Sequence, residues 1–278
     1  DSAKYQEEIK VNEKEFTGFT YESKDTDKII IDVENNVAYV YYTRNNYDYT
    51  IYHVEKGNEN NILDTVRDSA KYQEEIKVNE KEFTGFTYES KDKEVIKIDT
   101  ENNVAYVYYT RNNYDYTIYY VEKGNENNIL DTVRDSANYQ EEIKVNEKEF
   151  TGFTYDSKDT DKIIIDVENN VAYVYYTRNN YGYTIYHVEK GNENNILDTV
   201  RDSAKYQEEI KVNEKEFTGF TYESKDTDKI IIDVENNVAY VYYTRNNYDY
   251  TIYHVEKGNE NNILDTVRDS AKYQEEIK

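Results

Sequence analysis

A single motif, DSA-x-YQEEIKVNEKEFTGFTY, begins at Asp1, Asp68, Asp135 and Asp202, and a truncated copy begins at Asp269. The spacing is 67 residues each time. Self-similarity at a fixed period identifies an array before any local pattern is considered. At this period each unit is long enough to hold a small core of its own. The sequence therefore predicts small domains in series, touching their neighbours, that form an elongated rod or fibre.

Differences among the units act as an internal mutation series. The third unit carries Asn138, Asp156 and Gly182 where the first has Lys4, Glu22 and Asp48. The second carries Lys93, Glu94, Val95, Lys97, Thr100 and Tyr120 in place of Thr26, Asp27, Lys28, Ile30, Val33 and His53. A position that accepts Ile or Lys faces water. The alternation in Lys28–Val33 then predicts a strand with Ile29, Ile31 and Val33 turned to the core and Lys28, Ile30 and Asp32 turned out.

The other strands follow from period-2 runs between turn residues. Tyr49–Glu55 and Ile62–Arg67 form one pair across Lys56-Gly57-Asn58, with Gly57 at positive φ. Segment 68–82 reads as either a helical turn or a strand. Thr84-Gly85 makes a bend that buries Phe83 and Phe86. Glu34-Asn35-Asn36 is expected to close a hairpin. The apolar run Val37–Thr43 is expected to be central and covered on both faces. Phe16, Phe19, Val37 or Ala38, Ile51 and Leu63 complete the expected core.

Turn chemistry at Arg44-Asn45-Asn46-Tyr47 places the boundaries. Residues 47–113, 114–180 and 181–247 are expected to be repeat domains. Residues 1–46 are the C-terminal part of one, and 248–278 the N-terminal part of another. The linker lacks Pro and is too short for free tumbling. With no initiator Met, the chain reads as a window from a longer array. The alternative is a head-to-tail fibre in which 248–278 of one molecule complete 1–46 of the next.

Composition excludes several function classes. With Lys+Arg 34 against Asp+Glu 58, the net charge is −24, which argues against nucleic acid and against an anionic membrane surface as partners. Cys is absent, which removes disulfides and thiolate chemistry. No run approaches the ~20 apolar residues of a spanning helix.

Candidate chemistry is sparse. His53, His187 and His254 share one repeat position that holds Tyr120 in the second unit, so they read as an aromatic strand position rather than a catalytic one. Asp25, Asp27, Asp32, Glu34 and Asn35 could supply oxygens to calcium, but the calcium-loop glycine is missing. Lys10, Lys77, Lys144 and Lys211 could form isopeptide crosslinks with an Asn on an adjacent strand. Tyr39, Tyr41, Tyr42, Tyr47, Tyr49 and Tyr52 could stack on sugars or pack between domains. No catalytic residue, metal site or cofactor is assigned, and no enzyme activity is expected.

YTIYHVEKGNENNILDTV, EFTGFTYES and NNVAYVYYTRNN together resemble the mucin-binding-protein-type (MucBP-like) repeats of Gram-positive surface proteins. The resemblance implies a mainly β, α+β domain of β-grasp type, with a short helix or irregular crossing. It also implies an extracellular, wall-associated position. A structural stalk or filament at a bacterial cell or spore surface is the function expected. Its partners are then neighbouring repeats of the same or identical chains. The alternative is a multivalent glycan- or mucin-binding adhesin module, with host or matrix glycans as partners.

Overall fold

The computed structural model describes residues 1–277. Its first ten strands are β1 (Glu8–Lys10), β2 (Phe19–Lys24), β3 (Lys28–Ile30), β4 (Val40–Arg44), β5 (Asn46–Glu55), β6 (Asn58–Lys71), β7 (Glu75–Lys77), β8 (Phe86–Lys91), β9 (Val95–Lys97) and β10 (Val104–Arg111). The pattern of β5–β10 recurs over 113–178 and 180–245, and a last hairpin covers 247–272. No helix occurs among the described residues, so the α+β expectation is corrected to all-β.

Contacts divide the chain into two compact units. One comprises Asp1–Thr117, Arg134–Ile143 and Lys162–Asn170. The other comprises Ile118–Val133, Lys144–Asp161 and Val171–Lys278.

In the first unit, β5–β10 make a four-stranded sheet of order β6-β5-β10-β8 and a two-stranded sheet of β7 and β9. The pairings β5–β6 and β8–β10 are antiparallel, whereas β5 and β10, the first and last strands, run parallel side by side. Strands 180–245 repeat this arrangement inside the second unit.

The core lies between the two sheets. Ile51, Ala70, Val78, Ile96, Ile98, Ala105, Val107 and Tyr109 form one cluster, and Ile185 through Tyr243 form its counterpart. Burying each large apolar side chain stabilises the fold by ~1.5–3 kcal/mol. The predicted register of the Ile run is observed: Ile96 and Ile98 are buried while Lys97 faces solvent. In the first repeat, where β4 pairs only with β2, Ile29 and Ile31 are half-buried and Ile30 is exposed. Ala105 is buried and its neighbour Val104 only partly so, which resolves the choice between the Val37 and Ala38 positions. Leu63, Phe83 and Phe86 are half-buried at the edge of the cluster, whereas Phe16 of the first repeat is exposed.

Four local expectations are corrected. Val33 is exposed, as are Val167 and Val234, because the chain leaves the strand at an Asx turn. In the second repeat the Asn103 side chain accepts from the Asp99 amide at 2.8 Å and donates to its carbonyl at 2.8 Å. That turn is left-handed at Asn102 (φ 63°), yet it closes no hairpin: β9 pairs with β7 and β10 with β5 and β8. It carries the chain from one sheet to the other. The Val37–Thr43 position is central, but β10 is fully buried on one face only, with Tyr106 and Tyr108 half-exposed on the other. Finally, β6 runs to Lys71 rather than stopping at Arg67. Tyr47 pairs with Ala70 and Tyr49 with Asp68, and Ala70 seals the end of the core. Gly57 has φ 80° as the turn requires.

Candidate functional site

Three features recur from repeat to repeat: a junction, a buried His or Tyr, and a row of tyrosines on the open sheet face.

The junction is built from residues at the end of one period and the end of the next long strand. Between β10 and the strand starting at Asn113, Asn112 is the one intervening residue. Its amide donates to the Gly85 carbonyl at 2.8 Å, and its carbonyl accepts from the Tyr139 amide at 2.8 Å. Its side chain accepts from the Thr87 hydroxyl at 2.7 Å. A linker whose backbone amide and carbonyl are both engaged has little freedom to swing. The Tyr139 ring then sits on Gly85, whose φ is 77° and whose missing Cβ would lie 2.1 Å from the ring. Phe86 meets the same ring edge-on at 6.0 Å. The pairs Gly18–Tyr72, Gly152–Tyr206 and Gly219–Tyr273 reproduce the contact.

Arg111 ties this junction to the sheet. It donates Nε to Glu55 Oε1 at 3.0 Å, Nη2 to Oε2 at 2.6 Å, and Nη1 to the Tyr139 carbonyl at 3.2 Å. Its guanidinium lies over Phe86. Burial pushes the Glu55 carboxyl up, but hydrogen bonds from Arg111 and Asn61 outweigh it and hold the group below its ordinary value. Bidentate pairing of this kind fixes orientation as well as charge.

His53 and His187 are buried. His53 Nδ1 meets the Tyr109 hydroxyl at 3.1 Å, and that hydroxyl accepts from the Lys81 amide at 2.8 Å. Phe83 closes the cluster edge-on. Burial lowers the His53 pKa, Lys81 lowers it further, and Asp64 opposes them. At Tyr120 the longer side chain reaches past this arrangement and donates to the Asn146 carbonyl at 3.0 Å. His254 is exposed on the last hairpin.

The acidic loop does not converge on a cation. Asp25 accepts from the Tyr39 amide at 3.0 Å, Asp27 pairs with Lys24 at 3.0 Å, and Asp32 accepts from the Val33 amide at 2.7 Å. Among the described residues no group of three or more His, Cys, Asp or Glu side chains could hold a metal. Lys10, Lys77, Lys144 and Lys211 are exposed. Lys77 stands opposite Val95, and Lys10 opposite Lys28, so the register offers them no Asn partner.

Tyrosines divide by strand parity. Tyr47 and Tyr49 pack against the core, and Tyr109 is fully buried. Tyr52, Tyr106 and Tyr108 point to the other face and are half-exposed. Tyr52 and Tyr106 are direct partners in the parallel register. Their rings stack with centroids 5.3 Å apart at 22°, and Tyr106 stacks on Tyr108 at 6.2 Å and 17°. Tyr119–Tyr173–Tyr175 and Tyr186–Tyr240–Tyr242 repeat the row. Sequence reasoning named Tyr39, Tyr41 and Tyr52 but did not separate this row from the buried rings, nor did it find Gly85, Tyr139 and Arg111. No local signal marked the junction, because the Gly85 motif and Tyr139 stand 54 residues apart in the chain.

No protein-family model matches the chain, and no curated protein matches it. Among solved structures it is similar to a protein described as Streptococcal High Identity Repeats in Tandem (SHIRT) domains 3-4 from cell surface protein. Identity is 14%, the TM-score is 0.21, and the match covers 47% of this chain and 98% of the other. That likeness is too slight to assign fold or function.

Proposed function

We propose that the chain is a non-enzymatic structural repeat, a length-setting stalk exposed on a bacterial surface, whose partners are its own neighbouring repeats. The observation that carries this reading is the junction: Asn112 leaves no free linker, and Tyr139 seated on Gly85 with Arg111 beneath it couples each repeat to the next. The strand order suits a tension-bearing role. Because β5 and β10 are parallel neighbours at the two ends of a period, pulling the chain from both ends slides one strand along the other. All of their hydrogen bonds are then loaded together rather than one at a time. The MucBP-like resemblance and the absence of Cys support a Gram-positive exterior. Atomic force spectroscopy of the full chain tests the load-bearing part. The reading expects sawtooth unfolding at uniform spacing and high force, and extension at low force without such events argues against it.

A second reading, a multivalent glycan- or mucin-binding adhesin, draws on the half-exposed row at Tyr52, Tyr106 and Tyr108. Repetition would add avidity to weak sites. Glycan-array binding that is abolished by Tyr106→Ala and Tyr173→Ala supports it. The rings spend their faces on one another, which favours the structural reading.

A further inference from the structure

We propose that Tyr52 and Tyr106, with their counterparts Tyr119–Tyr173 and Tyr186–Tyr240, are sites of oxidative phenol coupling that staples the first and last strands of each repeat together. The three pairs share one geometry: directly opposed or equivalent positions on parallel strands, centroids 5.3 Å apart, and rings within 22–23° of parallel. All six rings are half-exposed and so open to a small oxidant; coupling requires each stacked pair to tilt until the carbons ortho to the hydroxyls meet.

Composition directs the chemistry to these rings. The chain has Cys 0, Met 0 and Trp 0 but Tyr 34. The side chains that ordinarily absorb oxidation ahead of tyrosine are therefore missing. An oxidising equivalent delivered to this surface ends on a phenol. Tyr108, stacked on Tyr106, extends the row. A bond between Tyr106 and Tyr108 stays within one strand, whereas one between Tyr52 and Tyr106 crosses the pair that tension would shear.

The co-reactant is hydrogen peroxide with a haem peroxidase. Each phenol gives up one electron and one proton, and the two tyrosyl radicals join through a new carbon–carbon bond ortho to the hydroxyls. The two ring hydrogens displaced at that bond return to the phenol oxygens as the rings regain aromaticity. In sum, two phenols and one peroxide give one dityrosine and two waters, with the peroxide reduced and the phenols oxidised.

The repeats carry their own labels for the test. Trypsin releases Tyr106 in peptide 98–111, whose sequence occurs once, and Tyr52 in peptide 45–56, whose sequence recurs at 246–257, so that Tyr52→Phe is what separates those two copies. Peptides 112–123 and 179–190 are also distinguishable, through Tyr120 and Gly182. The full chain is treated with peroxidase and peroxide, and dityrosine fluorescence and cross-linked tryptic peptides are read. The proposal expects 98–111 joined to 45–56, with fragmentation placing the bond at Tyr52 and Tyr106. It expects that species to vanish in Tyr106→Phe and in Tyr52→Phe, which keep the ring, while the separate bond between Tyr119 of 112–123 and Tyr173 of 163–178 persists. Coupling of 98–111 to 112–123 or 179–190 as readily as to 45–56 would overturn it. So would no dityrosine at all, or an unchanged product in Tyr106→Phe.

Discussion

The Tyr139 ring occupies the space that a side chain on Gly85 would fill, at a backbone angle that favours glycine. One residue thus serves a bend within its own repeat and a socket for the next. An alanine there meets the ring and sits in the left-handed region, which costs a non-glycine residue ~1–3 kcal/mol. Gly85→Ala should lower the melting temperature and raise hydrogen exchange at the Tyr139 amide. Gly57→Ala is the control, since its added methyl meets nothing while its φ is similarly positive. Equal effects would mean that the socket contributes nothing beyond backbone strain.

The register of the Ile run gives a sharper contrast. Ile165→Asp should unfold its repeat, because Ile165 is fully buried and a carboxylate there has no partner. Replacing a buried Ile by Ala alone costs ~2–5 kcal/mol. Ile164→Lys should be silent within ~0.5 kcal/mol, since Ile164 is exposed and the second repeat already carries Lys97. Circular dichroism melts of the two variants check the pair.

Removing Arg111 leaves Glu55 without its main partner in a half-buried site. Breaking a fully buried pair costs ~3–5 kcal/mol, and partial exposure reduces that here. Arg111→Met should therefore destabilise the array, and Arg111→Met with Glu55→Gln should recover part of the loss. A double-mutant cycle by urea denaturation measures the coupling. No recovery would place the role of Arg111 in its Tyr139 and Phe86 contacts instead.

Acid should loosen the His-bearing repeats first. His53 and His187 fold with pKa values below the ordinary 6.5 because burial disfavours the cation. Below that value the unfolded state binds more protons than the folded one, so stability is fully present above pH ~6.5 and falls as pH drops toward the folded values. His53 is faced by Asp64, Lys81, Phe83 and Tyr109, of which only Asp64 favours protonation. His53→Tyr with His187→Tyr, copying Tyr120, should lose less stability than the parent between pH 7 and 5. Parallel stability–pH curves for the two proteins would contradict this.

How much of this was written in the sequence depends on the range of each interaction. The Ile96/Lys97/Ile98 alternation and the left-handed turns at Gly57 and Asn102 are local, and local pattern specified them. The exit of Val33 from the core was illegible because it depends on which sheet the next strand joins. The same holds for Tyr52 and Tyr106. Their residue types were visible, but only the parallel pairing of strands far apart in the chain makes them neighbours. The junction was hidden for a related reason. Nothing near Gly85 in the chain reveals that Tyr139 will stand over it.

The stalk proposed here requires that each added repeat extend the chain, and small-angle X-ray scattering on chains of increasing repeat number tests that requirement most directly. The proposal predicts that the maximum dimension grows by one constant increment for each added 67-residue repeat, and that alanine in place of Gly18, Gly85, Gly152 and Gly219 together shortens that increment. A maximum dimension that grows only as the cube root of mass, as for repeats collapsed onto one another, would contradict it.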